Sequence, residues 1–438
     1  MRYLVAIVAM LGILFGVAPA AQAEDTLNVP VFSYRTGPFS GSGIPFADGI
    51  RDYLTMLNQR DGGIGGAKVL VEECETGYDT KKGIECYEAV KAKNPLVYTP
   101  LSTGITLALI PHAAVDKVPV LSMAYGLTAS AIGDTFPWIF NPPDTYWDTN
   151  SAIVQYIAGQ EGGLDKLKGK TIGFMYLDAP YGKEPIPLLE QLGKTYGYTL
   201  KLYPVAATEM QNQSSQWLNV RRDKPDWMIL AGWGAMHPTA LKEAAKVNYP
   251  MDHFIANYWV NDEDARSAGD QAKGFKELAW HAVGTGFPAF QDIQRLVIDK
   301  GLSKTPAGEP GTVLYNHGVY NAMLIAEAVR GGQKLSGKKM VTGEDVRRGF
   351  EAIDLTADRF KELGLAGFAE PLKLSCADHN GHGRLFVQSW DGAKWVRVSE
   401  PAKPMTDVVQ PLIEAAAKDY LEKNTAWPKR TEACDKPS

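Results

Sequence analysis

Two hydrophobic periods alternate along this chain. Leu27 to Ser33 is an apolar run of strand length, and Phe46, Ile50, Tyr53, Leu54 and Leu57 are then spaced for one helix face. The turn Asp61-Gly62-Gly63-Ile64-Gly65-Gly66 closes this first unit. Strands are expected next at 68–72, 96–99, 118–122 and 138–141, with helices at 82–93, 106–115 and 146–159. A second run places strands at 171–176, 199–203 and 227–231 and helices at 185–196, 213–222 and 238–247. Such repetition predicts an α/β fold of mostly parallel, doubly wound sheets with helices on both faces. Two runs predict two lobes. The tail differs: 384–390 and 394–398 flank Asp391-Gly392, a hairpin signal, and 405–421 reads as a final helix.

The first segment is an address label. Met1-Arg2, the uncharged apolar run Leu4 to Val17 and the small-x-small triplet Ala21-Gln22-Ala23 compose a signal peptide over 1–23, cleaved before Glu24. That run is shorter than the ~20 apolar residues of a spanning helix, and no later stretch approaches that length. The mature chain is thus expected to be exported to the periplasm and not embedded in a membrane. Export gives Cys74, Cys86, Cys376 and Cys434 a disulfide reading. The expected pairs are Cys74–Cys86 and Cys376–Cys434. His379-x-x-His382 lies in a Gly-rich loop and reads as a turn, so no metal is expected.

Charge and motifs narrow the function. The 438 residues carry 45 Lys+Arg against 50 Asp+Glu, a net charge of -5. That balance offers no basic face for nucleic acid. Gly63-x-Gly65 follows a helix and precedes a strand, the reverse of a dinucleotide-binding loop. The chain has no G-x-x-x-x-G-K-[ST], H-E-x-x-H or G-x-S-x-G motif. No cofactor and no enzyme activity are expected, although an exported enzyme or a sensor partner on the same fold stays open.

The order of short motifs resembles the type I periplasmic solute-binding proteins that serve branched-chain amino acid ABC transporters. The resemblance rests on Gly37-Pro38-Phe39-Ser40-Gly41, on Asn58 before the Gly62–Gly66 turn, and on Cys74 with Asp79-Thr80-Lys81-Lys82-Gly83. It continues through Val118-Pro119-Val120-Leu121-Ser122, Asp178-Ala179-Pro180-Tyr181-Gly182-Lys183, Pro225-Asp226 with Gly232, and Tyr320-Asn321-Ala322. It implies two lobes. Lobe 1 would be 24–142 with 281–354 returning to it, and lobe 2 would be 143–280 with 355–438 returning. Hinge crossings are expected near Pro142-Pro143, Trp280 and Asp354. A ligand would sit between the lobes beyond the strand ends. Lobe closure would present it to a membrane permease, with the receptor a monomer.

The resemblance also proposes a pocket. Ser102-Thr103 opens a helix, where hydroxyls and free N–H groups attract an anion, and the family places a Ser on the ligand carboxylate there. Ala124-Tyr125-Gly126 replaces the family's Thr, so Tyr125 is expected to face the cleft instead. Tyr181 matches a pocket Tyr. Trp233, Tyr258 and Trp259 follow strands, and Trp147 follows the first crossing, beside Tyr146. Asp262 is the candidate partner of an ammonium group. Aromatic walls with an anion-binding end suit an aromatic or other hydrophobic carboxylate. A branched-chain or related amino acid, with Asp262 on its ammonium, or an amide is the alternative.

Overall fold

The computed structural model describes residues 26–428, 430, 432 and 434; the expected signal peptide lies outside them. In chain order the first half runs β1 (Thr26–Ser33), α1 (Ser40–Asp61), β2 (Lys68–Glu75), α2 (Thr80–Val90), α3 (Thr103–Asp116), β3 (Val120–Leu121), β4 (Ile139–Phe140) and α4 (Tyr146–Glu161). It continues β5 (Thr171–Leu177), α5 (Pro180–Lys183), α6 (Ile186–Tyr196), β6 (Thr199–Val205), α7 (Ser214–Asp223), β7 (Trp227–Ala231), α8 (Met236–Lys246), β8 (Phe254–Ala256), α9 (Asp262–Ser267) and β9 (Lys276–Ala279). The return comprises α10 (Pro288–Ile293), α11 (Val313–Ser336), α12 (Gly343–Glu351), β10 (Asp354–Leu355), α13 (Ala357–Glu362), β11 (Leu372–Lys373), β12 (Phe386–Trp390), β13 (Trp395–Arg397) and α14 (Thr406–Lys423).

Two sheets organise these elements. β1 pairs in parallel with β2 over its whole length. On its other side it bridges the extended segment 95–99, which in turn meets β3, and β3 pairs with β4. β1 is buried from Leu27 to Ser33, on both faces, as its unbroken apolar sequence requires of a central parallel strand. The second sheet has the order β13-β12-β9-β8-β7-β5-β6. Its core strands are parallel, and β12 joins antiparallel to β9, so the tail hairpin extends this sheet. Both sheets are covered by helices, which confirms the α/β class.

The return segment completes the first lobe. α11 packs along α1, and its residues from Val313 to Ala326 are all buried. The two helices touch backbone to backbone. A Cβ at Gly49 would lie 2.1 Å from the Tyr315 carbonyl oxygen, and one at Gly318 2.2 Å from that of Phe46. Only glycine fits either position.

Pro142-Pro143 links β4 to α4, and Trp280-His281 links β9 of the second sheet to the return segment, where the Ala282 N–H donates to Phe368 O (2.7 Å). The crossing expected near Asp354 lies elsewhere. β10 and β11 form a small antiparallel pair, and Arg359 of α13 grips Glu327 of α11, so 354–373 stays with the first lobe. The third crossing is at 380–384, where the Gly383 N–H donates to Pro143 O (2.7 Å). A second correction concerns the terminal helix, which was expected with the second lobe. α14 packs beside the first sheet, where Tyr420 lies 4.8 Å and Trp427 5.5 Å from the Phe136 ring. Both expected disulfides are formed, and Cys376–Cys434 pins the tail to this side.

A charged clamp holds the crossings together. His382 Nδ1 lies 3.0 Å from Asp148 Oδ1, and its Nε2 lies 3.1 Å from Gln410 Oε1. The Gln410 amide nitrogen donates to Glu414 (2.9 Å), which turns its oxygen toward the ring. Both ring nitrogens therefore face acceptors, which only an imidazolium satisfies. Burial opposes that charge, but the Asp148 carboxylate outweighs it and lifts the His382 pKa to about 9. A pKa raised on folding stabilises fully below the unfolded value near pH ~6.5, and the benefit fades as pH rises through about 9. Unfolding titrations should thus show the wild-type protein losing up to about 3 kcal/mol between pH ~7 and ~10. His382→Gln should show a flatter curve; equal slopes would contradict the clamp.

Candidate functional site

The carboxyl ends of seven strands or extended segments face each other across the lobes. The first lobe presents Tyr34 after β1, Tyr78 after β2, Leu101–Thr103 after 95–99 and Met123–Gly126 after β3. The second presents Tyr181 after β5, Trp233 after β7 and Asn257–Trp259 after β8. Four of the first lobe's residues here have left-handed backbones: Tyr78 (φ 64°), Leu101 (49°), Met123 (41°) and Ala124 (60°). Side chains other than glycine rarely adopt this conformation, and it persists where surrounding structure enforces it.

The rings form one cluster spanning both lobes. Tyr125 stacks on Trp259 at 4.7 Å, and Trp233 stands nearly perpendicular to each, at 6.1 Å from Tyr125 and 5.1 Å from Trp259. Tyr34 (6.2 Å) and Tyr78 (6.3 Å) reach Trp233 from the first lobe. Tyr146 and Tyr181 meet at 5.1 Å. Trp259 is backed by Tyr258 (4.7 Å) and His317 (5.1 Å).

The polar ends of these side chains are short of partners. The Tyr34, Tyr125 and Tyr181 hydroxyls, the Trp233 and Trp259 indole N–H groups and both side-chain polar atoms of Asn257 are buried without a well-formed hydrogen bond, although Tyr34 faces Tyr125 and Trp233, and Tyr181 faces Asn257. Burial raises the pKa of Tyr34, Tyr125 and Tyr181, so they remain protonated and able to donate. Ser102 caps α3, but its Oγ accepts from the Ile105 N–H at a long 3.5 Å, and the Tyr78 hydroxyl lies beside it. Asp144, buried beside Tyr258, accepts from Thr149 with its Oδ2 (2.7 Å), and its Oδ1 has no partner. Arg35, next to Tyr34, is bound by Asp48 and Glu73, each at 2.6 Å. Glu277 takes the Val260 N–H (2.9 Å).

The structure thus brings Ser102, Tyr125, Tyr181, Trp233 and Trp259 together. Thr103, Ala124 and Gly126 frame them. Thr103 Oγ1 bonds the Tyr146 hydroxyl (2.8 Å) and accepts the Gly126 N–H (3.3 Å). The Tyr258 hydroxyl crosses to Ala124 O (3.4 Å) while accepting from Thr149 (3.0 Å). Trp147 lies outside the ring cluster and donates to Glu184 O (2.9 Å); the Glu184 carboxylate takes the Thr128 N–H of the other lobe. Asp262 Oδ2 accepts the Val313 N–H (2.9 Å), capping α11. Asp262→Ala should therefore cost about 1 kcal/mol of stability in denaturant titrations. It should leave solute affinity within about twofold; a larger affinity loss would return Asp262 to the site. Sequence reading missed Tyr34, Tyr78 and Asn257. Their signal was position alone, each at or just beyond the end of a strand. Among the described residues no His, Cys, Asp and Glu group is arranged to hold a metal. His379 bonds Ile139 O (2.8 Å), away from His382's partners.

The comparisons agree with this architecture. The family model for periplasmic binding proteins matches residues 26–394. A solved structure described as an ABC transporter permease from the Pseudomonas fluorescens group is 38% identical, with TM-score 0.84, covering 93% of this chain and 99% of that one. A Thermus thermophilus branched-chain amino acid ABC transporter with bound valine is 19% identical (TM-score 0.75; 89% and 99% covered). A Rhodopseudomonas palustris solute-binding protein in complex with benzoate is 16% identical (TM-score 0.67; 86% and 97% covered). No protein of the curated set matches. The chain belongs to the periplasmic binding proteins. That family is one of binding proteins. No helix among the described residues is long and apolar enough to cross a membrane.

Proposed function

We propose that this chain is a periplasmic receptor that closes on an aromatic or other hydrophobic carboxylate and delivers it to an ABC permease. The observation that carries this reading is the composition of the cleft. Its walls are rings, its polar atoms are mainly donors, and the acid expected on an ammonium, Asp262, is engaged on α11. Donors suit oxygen acceptors, and aromatic faces suit a flat apolar body. The α3 N-terminus with Ser102 supplies the anion end. Relatives of this fold hold valine and benzoate, so the scaffold admits both kinds of solute. The alternative amino-acid reading requires an acid, and the candidate Asp262 is engaged on α11.

Ser102→Ala tests the anion end. It should weaken the tightest-binding acid by roughly 0.5–3 kcal/mol in isothermal titration. Unchanged affinity would remove Ser102 from the site.

A further inference from the structure

We infer that Asn257 and Tyr181 form a second polar subsite that takes a hydroxyl on the solute's ring, which makes the solute a hydroxylated aromatic carboxylate. The inference rests on the carboxylate reading above. Asn257 is 1% exposed, yet neither its amide oxygen nor its amide nitrogen has a partner. Its backbone is fixed at the end of β8, where its N–H donates to Leu230 O (3.1 Å). The Tyr181 hydroxyl faces this side chain, and neither group makes a well-formed hydrogen bond.

The chemistry of this pair selects its guest. A carboxamide offers donors and an acceptor, and a phenol offers one donor with acceptor lone pairs. An ammonium only donates and would leave the amide N–H groups unpaired. A carboxylate only accepts and would leave the Asn257 amide oxygen without a donor. A hydroxyl both donates and accepts, so it can donate to the Asn257 oxygen while accepting from the Tyr181 hydroxyl.

Position adds a second argument. Ser102 belongs to the first lobe, whereas Asn257 and Tyr181 belong to the second. A solute with a carboxylate at one end and a hydroxyl at the other would engage both lobes. One bearing the carboxylate alone would engage the first lobe's polar end only. A site built to bond a hydroxyl discriminates strongly against the analogue that lacks it.

The test is calorimetric titration of ligand-stripped protein with benzoate and with the 2-, 3- and 4-hydroxybenzoates. At least one hydroxybenzoate should bind ~10-fold or more tighter than benzoate. Asn257→Leu and Tyr181→Phe should each remove most of that preference of hydroxybenzoate over benzoate, and cooperative thermal unfolding of each variant shows separately that it folds. Benzoate and all hydroxybenzoates binding equally would overturn the subsite and leave the carboxylate reading standing. A preference that survives in both variants would do the same. Failure of every acid to bind would overturn the carboxylate reading, and the subsite with it.

Discussion

Replacing Cys376 and Cys434 by serine is expected to destabilise the protein by roughly 4 kcal/mol, the largest effect of any double substitution considered. The bond spans 58 residues of sequence. Within that loop the chain leaves the first lobe at 380–384, builds the β12–β13 hairpin on the second sheet and returns as α14. Cross-linking so long a loop removes much conformational freedom from the unfolded chain. Cys74–Cys86 spans only 12 residues and should contribute less, about 3 kcal/mol. Denaturant unfolding of each double-serine variant measures both. A smaller loss for the long loop than for the short one would contradict the role assigned to the tail.

The second large effect concerns lobe closure. Gly234 follows Trp233 and has a left-handed backbone (φ 55°). A Cβ there would lie 2.6 Å from Pro38 O and 3.0 Å from Phe39 Cα, both backbone atoms of the opposite lobe. The adjacent Ala235 N–H donates to that same Pro38 O (3.2 Å). Backbone cannot swing aside as a flexible side chain can, so the lobes must part. Gly234→Ala should therefore weaken solute binding at least ~10-fold, about 1.4 kcal/mol. The left-handed φ adds a separate stability cost of ~1 kcal/mol. Small-angle scattering gives a readout independent of any solute. The variant should have a larger radius of gyration than the wild-type protein under closing conditions. Unchanged affinity and unchanged radius together would show that Pro38–Gly234 is not a closure contact.

Much of the scaffold was legible because central parallel strands are unbroken apolar runs. Leu27–Ser33, Thr171–Tyr176 and Trp227–Ala231 each announced a strand and were found as one. α11 left no comparable mark. It is buried nearly all round, so its apolar residues form no single stripe with helical period. The third crossing was misplaced because β10 and β11 pair back onto the first lobe, through contacts between residues distant in sequence. The site was legible in part for the same reason. Trp233 and Trp259 follow recognisable strands, whereas Tyr34, Tyr78 and Asn257 are single residues in loops and carry no pattern. Asp262 had the right charge in the right region. What fixes its role is an N–H that lies 51 residues further along the chain.

The central claim is that the cleft recognises a carboxylate on a hydrophobic body without a partner for an ammonium group. Isothermal titration of protein unfolded and refolded to strip any carried ligand tests it most directly, with benzoates and leucine run side by side. An aromatic acid should bind and leucine should not. Leucine binding with no response to any aromatic acid would contradict it.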